Sequence, residues 1–145
     1  MRMLGLDLGD KWVGVALADP LGITCKPYKT IQAEELFAFL PEVITKERVS
    51  TIVIGHPKTC SGGQSEQTIK VEQLKTELEE KLIKEQGLPI TIVLWDERLS
   101  SKRAGQQLAS NKKISHAEAK QKNHSLAAAF ILQSYLDCKA FQKSF

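Results

Sequence analysis

Two short apolar runs open the chain, MLGLDL at residues 3–8 and WVGVALA at 12–18, with only Gly9-Asp10-Lys11 between them. β-Prone runs of this length, joined by a tight connection holding a permissive glycine, predict a hairpin. Pro20, Gly22 and Pro27 exclude a helix after the second run, so the stretch around Ile23 to Thr30 is expected to form a third antiparallel strand. From Glu34 to Arg48 the period changes: Leu36, Phe37, Leu40, Val43 and Ile44 recur at helical intervals, with Pro41 as a local kink. TIVIG at 51–55 and ITIVLW at 90–95 are unbroken, β-branched-rich runs, the pattern of strands covered on both faces. Between them the pattern gives a polar loop, His56 to Ser65, and a charged helix striped by Val71, Leu74, Leu78 and Leu82. That helix runs to about Gln86, where Gly87 and Pro89 end it. Beyond 95 the pattern predicts a helix near Ser101 to Ala109 and a basic loop through about Ala119. A last helix then aligns Leu126, Ala129, Phe130, Gln133 and Leu136 on one face. The order βββαβαβαα implies an α/β chain with a mixed five-stranded sheet, three antiparallel strands followed by two parallel ones, flanked by helices. It is not the order of a doubly wound nucleotide-binding fold.

With 145 residues, 42% of them hydrophobic, the chain can close one core and has little room for a second, so residues 1–145 are expected to be a single domain. No apolar run approaches the roughly 20 residues that span a bilayer, and the first strand begins without a basic n-region or a small-residue cleavage site. The expectation is a soluble, cytoplasmic protein with no membrane partner. Cys25, Cys60 and Cys138 are an odd, widely spaced set with no CxxC, which argues against a zinc ribbon or a disulfide framework and fits packing thiols in a reducing compartment.

Charge changes the picture more. The net charge of +3 divides into −4 over residues 1–97 (11 Lys and Arg, 15 Asp and Glu) and +7 over residues 98–145 (9 and 2). Arg98, Lys102, Arg103, Lys112, Lys113, Lys120 and Lys122 crowd one short span, as a phosphate-contacting face requires; a solvated lysine-rich helix surface would read the same way.

Among candidate chemical groups, Asp7 comes first because it interrupts an apolar strand, on the face opposite its neighbours Leu6 and Leu8. A carboxylate there is either a metal ligand or an acid capping the nearby turn, and Gly5 and Gly9 leave room for a ligand or a backbone beside it. Asp96 and Glu97 stand where a buried strand stops and point to opposite faces, so one of them, Glu97 by preference, can share a site with Asp7, while Asp96 could cap the following turn. Carboxylates from separate strands suit hard cations such as Mg²⁺ or Mn²⁺, and such a site suffices for phosphodiester hydrolysis. The loop containing Ser61 and Gly62 could cradle a phosphate with its amides, although Ser65 as a helix cap explains the same polar cluster. His124 opens the last apolar stripe; His56 and His116 stand out less.

LGLDLGDKWVGVALAD at 4–19, IVIGHPKTCSGGQS at 52–65, WDERLSS at 95–101 and HSLAAAFILQSYLD at 124–137 together resemble the YqgF/RuvX family, nearly end to end. The resemblance implies an RNase H-like fold and a nuclease. Its substrate would be the 5′ end of pre-16S rRNA or, alternatively, a Holliday junction. It aligns Asp7 with the family's first-strand acid and Glu97 with the acid of its DER motif. The family's third acid, an aspartate at the start of the last helix, is replaced by His124, so the implied ligand set is Asp7, Glu97 and His124. A site with one fewer negative charge holds Mg²⁺ more weakly, whereas imidazole coordinates Mn²⁺ acceptably. A module that binds nucleic acid without cutting it is the alternative this substitution raises. Two further departures are His56, where the family has Leu, and Thr59, where it has Asn.

Overall fold

The computed structural model describes residues 2–9, 11–56, 66–96 and 116–143. Strands β1 (Arg2–Leu8), β2 (Trp12–Ala18) and β3 (Cys25–Gln32) form an antiparallel meander, and β4 (Val49–His56) and β5 (Thr91–Asp96) extend it on the other side. The order is β3-β2-β1-β4-β5, with β4 parallel to β1 and β5 parallel to β4, which is the mixed sheet the pattern predicts. The third strand begins at Cys25, two residues later than expected, because Asp19 caps the turn before it: its Oδ1 accepts the Ile23 and Thr24 amides at 2.8 and 3.2 Å.

Strand alternation sorts the core into two layers. Leu4, Leu6, Val13, Val15, Ile52 and Ile54 face α1 (Leu36–Glu47) and α2 (Glu66–Leu78), whose Leu40, Val43, Ile44, Val71 and Leu78 complete the larger cluster. Ala16, Ala18 and Val53 face α3 (His116–Lys143) and meet Ala128, Ile131, Leu132 and Leu136. The helix α1 runs through Pro41 rather than breaking there, with Thr45 Oγ1 donating to the Pro41 carbonyl at 3.0 Å. It ends at Arg48, whose φ of 55° reverses the chain directly into β4. The helix after the polar loop is regular only to Leu78; Glu79–Glu85 widen into a π-helical segment before Gly87, at φ 67°, stops it.

Sequence expectations change at α3 and at the end of β4. The face that α3 buries is Ala128, Ile131, Leu132, Tyr135 and Leu136, one position away from the expected stripe of Leu126, Ala129, Phe130 and Gln133, which are only partly covered; Leu136 alone belongs to both. Residues 116–119, expected in a basic loop, are helical, so His124 lies in the third turn of a 28-residue helix rather than at its start. The polar residues before His124 still favour helix, since Ala, Glu, Lys and Gln are good helix formers and no Gly or Pro interrupts them. His56, expected in the loop, is the last residue of β4, 5% exposed, with Nε2 3.0 Å from Glu72 Oε1 on α2. The proposed helix at Ser101 to Ala109 and Cys60 lie outside the described residues.

The carboxyl half of α3 is tied to β3 and the turn before it. Gln133 accepts the Cys25 amide through Oε1 at 3.2 Å and donates from Nε2 to the Ile23 carbonyl at 3.0 Å, while the Cys25 thiol donates to the Ala129 carbonyl at 3.1 Å. Burial, with the Asp137 charge nearby, pushes that thiol up to about 11. Since the thiolate is the nucleophile, iodoacetamide at pH 8 should label Cys25 about 100-fold more slowly in the folded chain than in urea, as read by peptide mass spectrometry. Equal rates would show that this end of α3 does not stay docked.

Candidate active site

Strands β1, β4 and β5 run parallel and end at one edge of the sheet, so the residues that close them, Asp7-Leu8, Gly55-His56 and Trp95-Asp96, share that edge. Parity then divides them. Leu6 and Leu8 pack on the α1/α2 side, which turns Asp7 to the α3 side, as alternation in the sequence requires. His56 faces α2 and is engaged by Glu72, so it does not join Asp7.

The other half of the site comes from α3. Asp7 pairs across the hairpin with Gly14, and the α3 backbone lies directly on that glycine: a Cβ there would overlap the His124 carbonyl and sit 2.7 Å from the Ser125 nitrogen. The same holds at Gly5, where a Cβ would come within 2.9 Å of the Ala128 carbonyl and 2.8 Å of the Leu132 Cβ. Two glycines on neighbouring strands therefore let a helix approach the sheet closely. The approach sets His124 beside Asp7, with Nδ1 3.7 Å from Oδ2. Gly9 completes the surround, since a Cβ on it would press on the imidazole, 3.1 Å from Cε1.

Both side chains are partly covered, with Asp7 18% and His124 27% exposed. Burial lowers the His124 pKa below the ordinary histidine value. The shift favours the neutral imidazole at pH 7, and at 3.7 Å the ring nitrogen is too far from Asp7 for a hydrogen bond. A neutral nitrogen lone pair and a carboxylate oxygen at this separation suit a shared cation. Two donors each about 2.1 Å from one ion can stand at most about 4.2 Å apart. Among the described residues no third His, Cys, Asp or Glu joins them.

Of the residues singled out in the sequence, the structure brings together Asp7 and His124, from opposite ends of the chain. Glu97, Arg98, Lys102, Arg103, Lys112, Lys113, Ser61 and Gly62 lie outside the described residues. Gly14 is the site residue that periodicity passes over. Its signal is a glycine inside a strand of β-branched and aliphatic residues, which marks the close passage of another backbone. A cavity of about 290 Å³ lined by Arg2, Asp19, Cys25 and Lys26, among others, lies at the opposite end of the sheet and holds none of the candidate groups. Among the described residues no helix is long and apolar enough to cross a membrane.

Known proteins resemble this chain over nearly all of its length. A relative from Lachnospira eligens named "Putative pre-16S rRNA nuclease" is 38% identical over 145 residues, covering 96% of this chain and 99% of its own. One of the same name from Geobacillus sp. (strain WCH70) is 40% identical over 144 residues, with the same coverage. Among solved structures, T. thermophilus RuvC in complex with Holliday junction substrate superposes with a TM-score of 0.55 at 13% identity, covering 97% of this chain and 96% of that one. The Fowlpox virus resolvase bound to Holliday junction DNA gives a TM-score of 0.52 at 10% identity, covering 95% and 98%. These likenesses and the sheet order make the fold RNase H-like. Residues 1–138 match the family described as RuvX, Holliday junction resolvase, and with relatives at this identity the chain belongs to that family of nucleases.

Proposed function

We propose that the chain is a divalent-metal-dependent phosphodiesterase of the cytoplasm that trims the 5′ end of precursor 16S rRNA. The observation that carries the reading is the approach of His124 Nδ1 to Asp7 Oδ2 at the carboxyl edge of the parallel strands. It agrees with the names of the closely matching relatives. Asp7 supplies the charged ligand and His124 a neutral one through Nδ1, which leaves its proton on Nε2. Glu97, the acid of the DER segment that follows β5, is the proposed third ligand. A bound divalent ion supplies Lewis acidity and an activated water for in-line displacement, leaving a 5′-phosphate and a 3′-hydroxyl. Arg98, Lys102, Arg103, Lys112 and Lys113, with the Ser61-Gly62 loop, are proposed to hold the substrate phosphates.

The family description favours a second substrate, the four-way DNA junction. Lysine contacts to phosphate carry no sugar or base information, so the basic segment serves either one. The test incubates the protein with 5′-extended 16S precursor and with a four-way junction, each under Mg²⁺ and under Mn²⁺. Cleavage of the precursor at its 5′ extension is the expected result; cleavage of the junction alone would replace the first reading with the second. Binding without product under either ion would leave a module that only binds.

The metal choice gives a separate prediction. A carboxylate–imidazole pair should favour Mn²⁺ over Mg²⁺. His124→Asp should then raise Mg²⁺-supported cleavage by roughly 10-fold, the scale on which ligand changes act at metal sites. Steady-state rates in the two ions check this, and unchanged ion preference in His124→Asp would remove His124 from the ligand set.

A further inference from the structure

Trp12 opens β2 and is 37% exposed, although the rest of that strand is buried. Val13, Val15 and Leu17 face the α1/α2 core, and Ala16 and Ala18 face α3, so alternation puts Trp12 on the α3 side, the side of Asp7 and His124. Its backbone is fixed there. The Gly9 amide donates to the Trp12 carbonyl at 3.0 Å, closing the hairpin, and Gly9 is the residue that lines the His124 ring. Asp7 pairs with Gly14, two residues along β2 from Trp12, which is about 7 Å at strand rise. On its other flank Trp12 pairs with Gln32 of β3, which is exposed and shares the same side because Ile31 is in the opposite core. Exposed Lys11 adjoins it in the hairpin.

The second tryptophan shows what a structural one does here. Trp95 packs edge-on to Tyr135, with centroids 5.4 Å apart at 78°, and its indole N–H donates to Ser134 Oγ at 3.1 Å. Trp12 has neither kind of contact among the described residues. An exposed indole costs the folded chain apolar surface in water, and on the reactive side of a nuclease its π-face is a stacking surface open to any base.

We propose that Trp12 is a stacking platform for an unpaired nucleobase next to the scissile phosphate at the Asp7–His124 site, with Gln32 positioned to bond that base's edge and Lys11 the adjoining phosphate. The proposal rests on the nuclease reading for its substrate. It makes the site select strands with an unpaired nucleotide beside the cut, because a base within a duplex presents no free face.

The test uses the chain's own fluorescence in EDTA, where binding is read without cleavage. With two tryptophans in the chain, Trp95→Phe leaves Trp12 as sole emitter and Trp12→Phe leaves Trp95. Ten-nucleotide single-stranded RNA and DNA should quench the first protein and not the second, and a blunt duplex should quench neither; the two single strands distinguish ribose from deoxyribose preference. Trp12→Ala should weaken binding of a labelled single strand by about 5- to 150-fold, with Trp12→Phe within about threefold of wild type. In metal-supported cleavage the same variant should raise KM more than it lowers kcat. Unquenched Trp12 emission while anisotropy reports a bound strand, equal quenching by duplex, no binding at all, or wild-type affinity in Trp12→Ala would each overturn the proposal. Quenching by single strands alongside absent cleavage under any divalent ion would instead sink the nuclease reading and leave Trp12 as a base-binding residue.

Discussion

Asp7→Asn is expected to reduce metal-supported cleavage by more than about 100-fold while leaving the chain folded. Changes to residues behind a metal ligand typically cost 10- to 100-fold, and the charged ligand itself should exceed that range. Asparagine keeps the shape and one oxygen but loses the charge, and with His124 neutral the described residues offer no other anion at this point. Two further readouts separate a ligand from a structural acid. Mn²⁺ should raise the wild-type Tm, since an ion that binds only the folded chain stabilises it by mass action, and this rise should vanish in Asp7→Asn. Without metal, the variant should still unfold in one cooperative transition, so that its lost cleavage is not lost folding. Had Asp7 been a turn cap, the variant would lose stability and keep its activity. Wild-type cleavage in Asp7→Asn would remove the site.

Much of this arrangement is legible along the chain because it follows from strand parity. Leu6, Asp7 and Leu8 must alternate between faces, so parity alone fixes the acid on the side away from the larger core. Four of the five strands are equally readable, since each holds a contiguous run of β-branched or aliphatic residues; β3, CKPYKTIQ, has no such run and is legible only through the Pro and Gly residues that exclude a helix there. What periodicity does not carry is the partner of Asp7. Positions 7 and 124 meet only because α3 crosses β1 and β2, and that crossing is set by where a helix backbone can touch a sheet, a matter of two glycines rather than of an apolar stripe. His56 shows the converse: its polar character and the adjoining proline look like loop, yet β4 carries it into the interior, where Glu72 satisfies its ring nitrogen. The start of α3 is missed for a related reason, since 116–123 carries several charges and no clear apolar stripe, and helix formers in polar sequence leave no burial pattern to set them apart from loop.

Gly14→Ala should destabilise the fold by about 3 kcal/mol, the upper part of the range for overpacking. In a chain of this size that lowers Tm by roughly 10 °C. The added methyl would overlap the His124 carbonyl and crowd the Ser125 nitrogen, and because both are backbone atoms no rotamer change relieves the clash. Either β2 or α3 must move, and His124 moves with the helix. Displacement of a reactive group by about 1 Å can cost 100-fold in rate, so cleavage measured well below the variant's Tm should fall by that order. Gly5→Ala supplies the comparison. It meets Ala128 and Leu132 at 2.9 and 2.8 Å, one to two turns further along α3, so it should lose comparable stability with a smaller loss of activity. Equal losses of activity in the two variants would mean that the whole helix shifts as a rigid unit. A Gly14→Ala protein with wild-type Tm and rate would mean that the close passage of α3 over β2 does not set the site. The contrast places the determinant of the Asp7–His124 distance in the strand beneath the helix, at a residue with no chemistry of its own.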